Sequence, residues 1–90
     1  METTALLISD QDNVVTVIRE LKPGEAATYL EDGAYITLPT SGAPAYHKVA
    51  RRDIRAGEDV IKYGQVMAVA TRDIKAGEHV HTHNVKSKVQ

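Results

Sequence analysis

Apolar and polar residues alternate along most of the chain with the two-residue period of half-buried β-strands. No long window shows the 3.6-residue period of a helix, so the pattern predicts an all-β domain of short strands and hairpins. Asp32 and Gly33 form a two-residue turn signal between alternating flanks, which predicts a hairpin. The predicted strands lie near residues 13–20, 26–30, 34–38, 47–53, 59–63, 66–72 and 78–83.

An internal repeat organises the second half of the chain. Residues 49–60, VARRDIRAGEDV, align without gaps on residues 69–80, VATRDIKAGEHV, and residues 17–25 form a fainter third copy. Each copy runs from an alternating strand into a turn that ends in Gly-Glu, where glycine suits a positive φ. Three uneven copies in 90 residues favour a compact fold of repeated β-units over a solenoid.

Composition narrows the class of protein. We expect a single domain over residues 1–90, with ends at residues 1–10 and 85–90 that fray. A net charge of −1 offers no basic surface for nucleic acid. The chain has no cysteine, no apolar run of the ~18 residues that a membrane span needs, and no basic segment like that of a secretory signal. We therefore expect a soluble cytoplasmic domain that binds neither nucleic acid nor membrane.

Three of the four histidines lie at alternate positions, His79, His81 and His83. In a strand these side chains would share one face, with about 7 Å between neighbours, and two imidazoles spaced in this way can reach one metal ion. The earlier repeat carries no histidine at the matching positions, so folding does not require imidazoles there. The alternative is a solvated edge strand on which the histidines are polar surface residues.

Two further pairs of polar residues stand at strand ends. His47 and Lys48 begin a strand after the loop at residues 39–44, and Lys62 and Tyr63 end the second repeat. Lysine at such a place suits an anionic ligand. The alternatives are exposed residues at a strand start for the first pair and a lysine stem that covers a sheet edge for the second.

Three stretches carry a resemblance to a known family: DNVVTVIRELKPG (12–24), HKVARRDIRAGEDVIKYG (47–64) and ATRDIKAGEHVHTHN (70–84). Together they resemble the small N-terminal SAF-type domain of the altronate/galactarate dehydratase family. The resemblance implies a compact β-clip fold and a role in dehydrating a sugar acid, as part of a carbon–oxygen lyase. It also implies a large catalytic subunit or domain as partner, and ferrous iron or manganese as cofactor.

The resemblance also implies roles for individual residues. It places the HTHN motif at the shared active site, with His81, His83 and Asn84 as catalytic residues. Metal ligands would be His81 and His83, with His79 as a further candidate. The anionic sugar acid would be bound by His47, Lys48, Lys62 and Tyr63.

Two other functions fit the same resemblance. The chain is also similar to the small subunit of sulfo-lyases that act on sulfolactate, and SAF-type domains occur as non-catalytic modules that bind carbohydrates or partner proteins. Tyr46 stands where the family often has glycine. A chain that ends at Gln90 is expected to be a free-standing small subunit or an excised domain, and to be inactive alone because so small a unit cannot enclose a substrate.

Overall fold

The computed structural model describes residues 2–88 of the chain. Within these residues, nine short β-strands are joined by turns and loops, and there is no helix. The all-β prediction is confirmed, and no helix in these residues is long and apolar enough to cross a membrane. The strands are β1 (Ala5–Leu6), β2 (Val14–Val17), β3 (Ala26–Glu31), β4 (Ala34–Pro39), β5 (Lys48–Ala50), β6 (Asp59–Lys62), β7 (Gln65–Ala70), β8 (His79–Val80) and β9 (Val85–Ser87).

The strands form three antiparallel sheets. One has the order β1-β2-β5-β8, the second is the hairpin β3-β4, and the third has the order β6-β7-β9. The predicted hairpin turn is confirmed, since Asp32 and Gly33 both have positive φ, at 50° and 79°. Non-local strand pairing in the first and third sheets connects distant parts of the chain.

The four-stranded sheet carries a hydrophobic core on each face. Successive residues of β2 point in opposite directions, so Val14 packs into one core with Val60 and Val80, whereas Val15 packs into the other with Val49. All five are at most 1% exposed. Val60 and Val80, which occupy matching positions in the two repeats, thus lie in the same core.

The two strong repeats pack against each other around a local two-fold arrangement. Ile54 and Ile74 each donate their N–H to the carbonyl of the other, at 2.8 and 2.7 Å. Asp53 and Asp73 each accept a hydrogen bond from the backbone of the opposite turn, both at 2.9 Å. The sequence repeat therefore marks two turns that satisfy each other's backbone groups.

The histidine segment departs from the predicted strand at 78–83. β8 ends at Val80, and residues 81–84 form a turn. The Asn84 side chain explains the difference, because its amide oxygen accepts the His81 N–H at 3.0 Å and its amide nitrogen donates to the His79 carbonyl at 2.9 Å. An asparagine that bonds nearby backbone in this way competes with strand pairing.

Strands also occur in the two end segments that were expected to fray. β1 pairs with β2, and β9 pairs with β7. Ala5 in β1 is only 1% exposed, so this short strand contributes to the core. The parts of the prediction that concern Met1, Val89 and Gln90 lie outside the described residues.

Candidate functional site

Strand pairing brings the first and third histidines together across the sheet. β5 and β8 are antiparallel, with Lys48 opposite Val80, and the same register continued by one residue sets His47 opposite His81. The centroids of these two rings lie 4.8 Å apart. His47 was predicted only as a substrate-binding residue, because nothing local in the sequence reveals this register.

The four imidazoles form one cluster. The ring of His79 lies 5.1 Å from that of His47, 5.6 Å from that of His81 and 5.5 Å from that of His83, measured between centroids. The rings of His79 and His81 are stacked, with 8° between their planes. The structure thus brings together the three histidines that were expected to group, although a turn rather than a strand places His81 and His83.

The ring nitrogens of three members converge. His47, His79 and His81 each offer one nitrogen, and these atoms all lie within 4.8 Å of one another. The closest two, His47 Nδ1 and His79 Nε2, share a hydrogen bond of 2.9 Å. Of the predicted metal ligands, His79 and His81 belong to this group, whereas His83 contacts the cluster through its ring, which lies against that of His79.

Electrostatics favour the neutral form of the central imidazole. Burial is the main cause that lowers the pKa of His79, and the positive charges that His47 and the other neighbours carry at low pH lower it further. Neutral imidazole is the form that coordinates a metal ion or accepts a proton.

A cleft of about 330 Å³ opens beside the cluster. Its polar rim includes Lys48, His81 and Lys86, its floor is mostly apolar, and none of the residues that line it is acidic. Burial, and then the nearby Lys62 ammonium, lowers the pKa of Lys48. Among residues 2–88, no ion pair involves Lys48, Lys62 or Lys86, so the cleft carries uncompensated positive charge.

The predicted pair Lys62 and Tyr63 lies at the turn that connects β6 to β7. Tyr63 has a positive φ of 58° and is exposed, and the Lys62 ammonium lies 4.9 Å from its ring centroid. The buried carboxylate of Asp12 fixes this turn by accepting the N–H groups of Tyr63 and Gly64, at 3.1 and 2.8 Å. Sequence reasoning found no role for Asp12, because its partners in this turn lie 51 and 52 residues away along the chain.

Asn84, which the resemblance predicts to be a catalytic residue, is buried. It is 0% exposed, and both polar atoms of its side chain are bonded to the backbone of the turn. The main-chain carbonyl of Asn84 also accepts the Thr71 N–H at 2.9 Å, and this hydrogen bond connects the turn to the end of β7. The Asn84 side chain therefore holds the turn that carries His81, and it does not face solvent.

Two known proteins match most of this chain. Altronate dehydratase of Escherichia coli (strain K12) is 38% identical over 78 residues, and altronate dehydratase of Bacillus subtilis (strain 168) is 33% identical over 82 residues. These matches cover 87% and 91% of this chain but only 15% and 16% of the two relatives. The chain thus spans about one sixth of the length of these dehydratases.

A third relative is of a different size. The (2R)-sulfolactate sulfo-lyase subunit alpha of Paracoccus pantotrophus is 47% identical over 45 residues, which is 50% of this chain and 67% of that protein. A model of the altronate/galactarate dehydratase SAF domain matches residues 3–88. That match takes in every strand, the histidine cluster and the lysine-lined cleft, and the chain belongs to the altronate/galactarate dehydratase SAF domain family.

Proposed function

We propose that this domain is the SAF-type part of a carbon–oxygen lyase that dehydrates a sugar acid such as altronate or galactarate, acting with a large catalytic subunit or domain. The two altronate dehydratase relatives support the proposal, because each extends far beyond the stretch that matches this chain. The small domain would form one wall of a shared site, and the large partner would form the other.

The observation that carries the proposal is that imidazoles lie beside lysines that form no ion pair within residues 2–88, on one open face. In the proposed reaction the C–H bond α to the carboxylate breaks, and its electron pair forms a carbon–carbon double bond as the β-hydroxyl leaves with a proton as water. The resulting enol rearranges to a keto acid. The His81 and His83 imidazoles suit the proton transfers near neutral pH, and Lys48 and Lys86 suit the charge of the carboxylate.

Positions of the other residues refine the roles proposed for them. Lys62 lies close enough to Lys48 to strengthen the positive potential of the cleft, and Tyr63 stands exposed beside it for contact with substrate or with the large partner. His47 belongs to the imidazole cluster. Asn84 acts as a positioning residue, since both polar atoms of its side chain are hydrogen-bonded to the backbone of His79 and His81.

A divalent metal ion, Fe²⁺ or Mn²⁺, is part of the proposal. The donor set fits such an ion, because three imidazole nitrogens lie within 4.8 Å of one another. The lowered pKa of His79 also favours its neutral form, which is the form that coordinates a metal ion. When bound, the ion would supply a Lewis acid that polarises a hydroxyl or carboxylate of the substrate.

The isolated chain should not dehydrate a sugar acid, because the cleft and the cluster are open to water and no second wall encloses a substrate. Mixing the chain with a large subunit of the dehydratase family should create turnover. The measurement is keto-acid formation from altronate and from galactarate by the chain alone, the large subunit alone and the mixture. Turnover by the 90-residue chain alone would contradict the shared-site proposal, and no gain in the mixture would favour a non-catalytic binding module.

A second candidate is a sulfo-lyase subunit. The identity of 47% to the sulfolactate sulfo-lyase subunit, over two thirds of that protein's length, favours it, and a lysine-lined cleft accepts a sulfonate as well as a carboxylate. The same mixture tested on sulfolactate separates the two reactions, since cleavage of the C–S bond releases sulfite whereas cleavage of the C–O bond releases water.

A further inference from the structure

We propose that the buried carboxylate of Asp12 is a positioning residue for the lysine-lined cleft, because it holds the turn between β6 and β7 in the conformation that places the Lys62 ammonium beside the cleft. For a role in catalysis the inference rests on the proposed lyase function. The effect of Asp12 on anion binding can be tested on this chain alone, with inorganic phosphate as the probe.

The turn between β6 and β7 has the positive φ angles of a type I′ hairpin turn but an unusual residue in it. Lys62 pairs with Gln65, and the two residues between them, Tyr63 and Gly64, have φ of 58° and 70°. Asparagine, aspartate and glycine favour the first of these positions, whereas a bulky side chain is strained there. The hairpin turn between β3 and β4 has the favoured type of residue, Asp32, at the same position.

Asp12 supplies the support that the residues of this turn lack. Its Oδ2 accepts the Tyr63 N–H at 3.1 Å and its Oδ1 accepts the Gly64 N–H at 2.8 Å, so one carboxylate binds both residues with positive φ. Asp12 is only 2% exposed. Hydrogen bonds to a charged acceptor are stronger than those between neutral groups, so the conformation of the turn depends on this distant side chain.

Asp12 is itself fixed by the body of the domain. Its Oδ2 also accepts the Ser9 N–H at 3.1 Å, and its main-chain N–H donates to the Ser9 carbonyl at 3.0 Å. Its main-chain carbonyl accepts a hydrogen bond from Arg51 Nη1 at 2.9 Å, and Arg51 forms an ion pair with Glu31 of β3. The carboxylate can therefore act as a fixed anchor for the turn.

The turn directs one of the positive charges that act on the cleft. Lys62 follows Val60, a residue that lines the cleft, two positions later in β6, and its ammonium lies 4.9 Å from the Tyr63 ring centroid. Burial is the main cause that lowers the pKa of Lys48, which also lines the cleft, and the charge of Lys62 lowers it further. The turn that Asp12 holds thus sets where the Lys62 ammonium stands relative to the cleft.

Charge and position predict opposite effects when Asp12 is replaced by asparagine. The change removes a negative charge, so the electrostatic potential alone would make the cleft bind an anion more tightly. It also replaces one accepting oxygen with an amide group that only donates, so the N–H that this oxygen held loses its acceptor. If Asp12 positions Lys62, the released turn outweighs the gain in potential, and anion binding weakens.

The test is titration of the purified chain with inorganic phosphate at neutral pH, followed by NMR. We expect the phosphate affinity of Asp12→Asn to be lower by about threefold, the contribution of one partly exposed charge pair. The ring-current shift that the Tyr63 ring imposes on the Lys62 ε-methylene protons should also disappear. The inference is overturned if the unchanged chain does not bind phosphate, if Asp12→Asn binds it equally or more tightly, or if the Lys62 shift persists.

Asn13 provides a matched control, because it is the next residue and is also buried. Its side chain bonds the Asp59 carbonyl and the Ile61 N–H, both at 2.8 Å, and so holds β6 rather than the turn. Asn13→Ala should lower the free energy of unfolding, since it leaves these groups unpaired, but should keep the phosphate affinity. An equal loss of affinity in Asn13→Ala would mean that general loosening, and not the turn, weakens binding.

A rescue variant tests whether Asp12 acts through the turn. Asparagine favours the first position of a type I′ turn, so in a chain that carries Tyr63→Asn the further change Asp12→Asn should cost less phosphate affinity than it does alone. An equal cost in both chains would contradict a role through the turn.

A measurement on the unchanged chain keeps the test decisive if Asp12→Asn fails to fold. Phosphate should shift the side-chain signals of Lys62 together with those of Lys48, and a shift at Lys48 alone would contradict the inference. None of these measurements involves turnover. Failure of the phosphate results therefore counts against the role of Asp12, whereas absence of activity in a reconstituted mixture counts against the lyase function.

Discussion

Tyr46 adopts a backbone conformation that its side chain disfavours. It has a φ of 68° and is 76% exposed, directly before the cluster residue His47. The left-handed region costs residues other than glycine about 1–2 kcal/mol, so glycine would fit this place with less strain. The strain is held by hydrogen bonds on both sides, since the Tyr46 N–H donates to Val17 and the Val17 N–H donates to His47.

This strain gives a matched pair of variants. Tyr46→Gly and Tyr46→Ala both remove an exposed ring, but only glycine relieves the positive φ. We expect Tyr46→Gly to be more stable to urea than Tyr46→Ala by about 0.5–1 kcal/mol, because the relief exceeds the extra entropy that glycine has in the unfolded chain. An alanine variant as stable as the glycine variant would show that the turn relaxes out of the left-handed region.

Single residues also show where sequence reasoning was sufficient and where it was not. The residue types at the site were predictable, because three histidines at alternate positions stand out against a repeat that has none. Their arrangement was not, because a buried Asn84 side chain converts the expected strand into a turn. The place of His47 depends on the register between β5 and β8, which is set by non-local pairing.

At the scale of elements, the repeated Gly-Glu turn has two versions in different surroundings. Gly57 and Gly77 occupy equivalent positions with φ of 88° and 86°. A Cβ at residue 57 would meet no atom within 4 Å, whereas a Cβ at residue 77 would overlap the Pro39 carbonyl oxygen. The same turn therefore stands free in one repeat and packs against the end of β4 in the other, where it leads into the histidine cluster.

Alanine at these two positions should separate backbone strain from packing. Gly57→Ala should cost about 1–2 kcal/mol, the cost of a non-glycine residue with positive φ. Gly77→Ala should cost at least about 1 kcal/mol more, because the Pro39 carbonyl must also move. Urea denaturation of both variants measures the difference, and equal losses would mean that Pro39 yields without cost.

The elements that sequence reasoning missed share a physical cause. β1 has two residues and β9 has three, which is too short for a periodic pattern to be visible. Each exists because a longer strand offers it an open edge: β1 pairs with β2 and β9 with β7. The longer strands and the hairpin at Asp32 and Gly33 were predictable because alternation and turn chemistry are local.

At the scale of the whole molecule, stability and the candidate site use different surfaces. Val80 is 0% exposed in one hydrophobic core, whereas the next residue, His81, is exposed beside the cleft. Both cores lie against the four-stranded sheet, and the histidines gather at the end of its β5–β8 edge. A domain whose site is completed by a larger partner needs a core that is already packed and candidate site residues that are still exposed, and this domain has both.

This separation predicts the effect of changes at the site. His81→Gln and His83→Gln should each alter the free energy of unfolding by no more than about 0.5 kcal/mol, as for ordinary surface substitutions, because both side chains are exposed. Val80→Ala, one residue away, removes buried methyl groups and should cost more than about 1 kcal/mol. Thermal and urea denaturation of the isolated chain measures all three.

If the proposed function is right, the same histidine variants should lower the activity of a complex with a large subunit of the dehydratase family, because their imidazoles would face the substrate across the completed site. Activity is compared per mole of folded complex, so that any loss from poor assembly is removed. If His81→Gln and His83→Gln unfold the domain while the folded fraction keeps full activity, these imidazoles serve the structure. If stability is unchanged and turnover falls strongly, the two imidazoles act on the substrate, because the domain then folds without them but the reaction does not proceed without them.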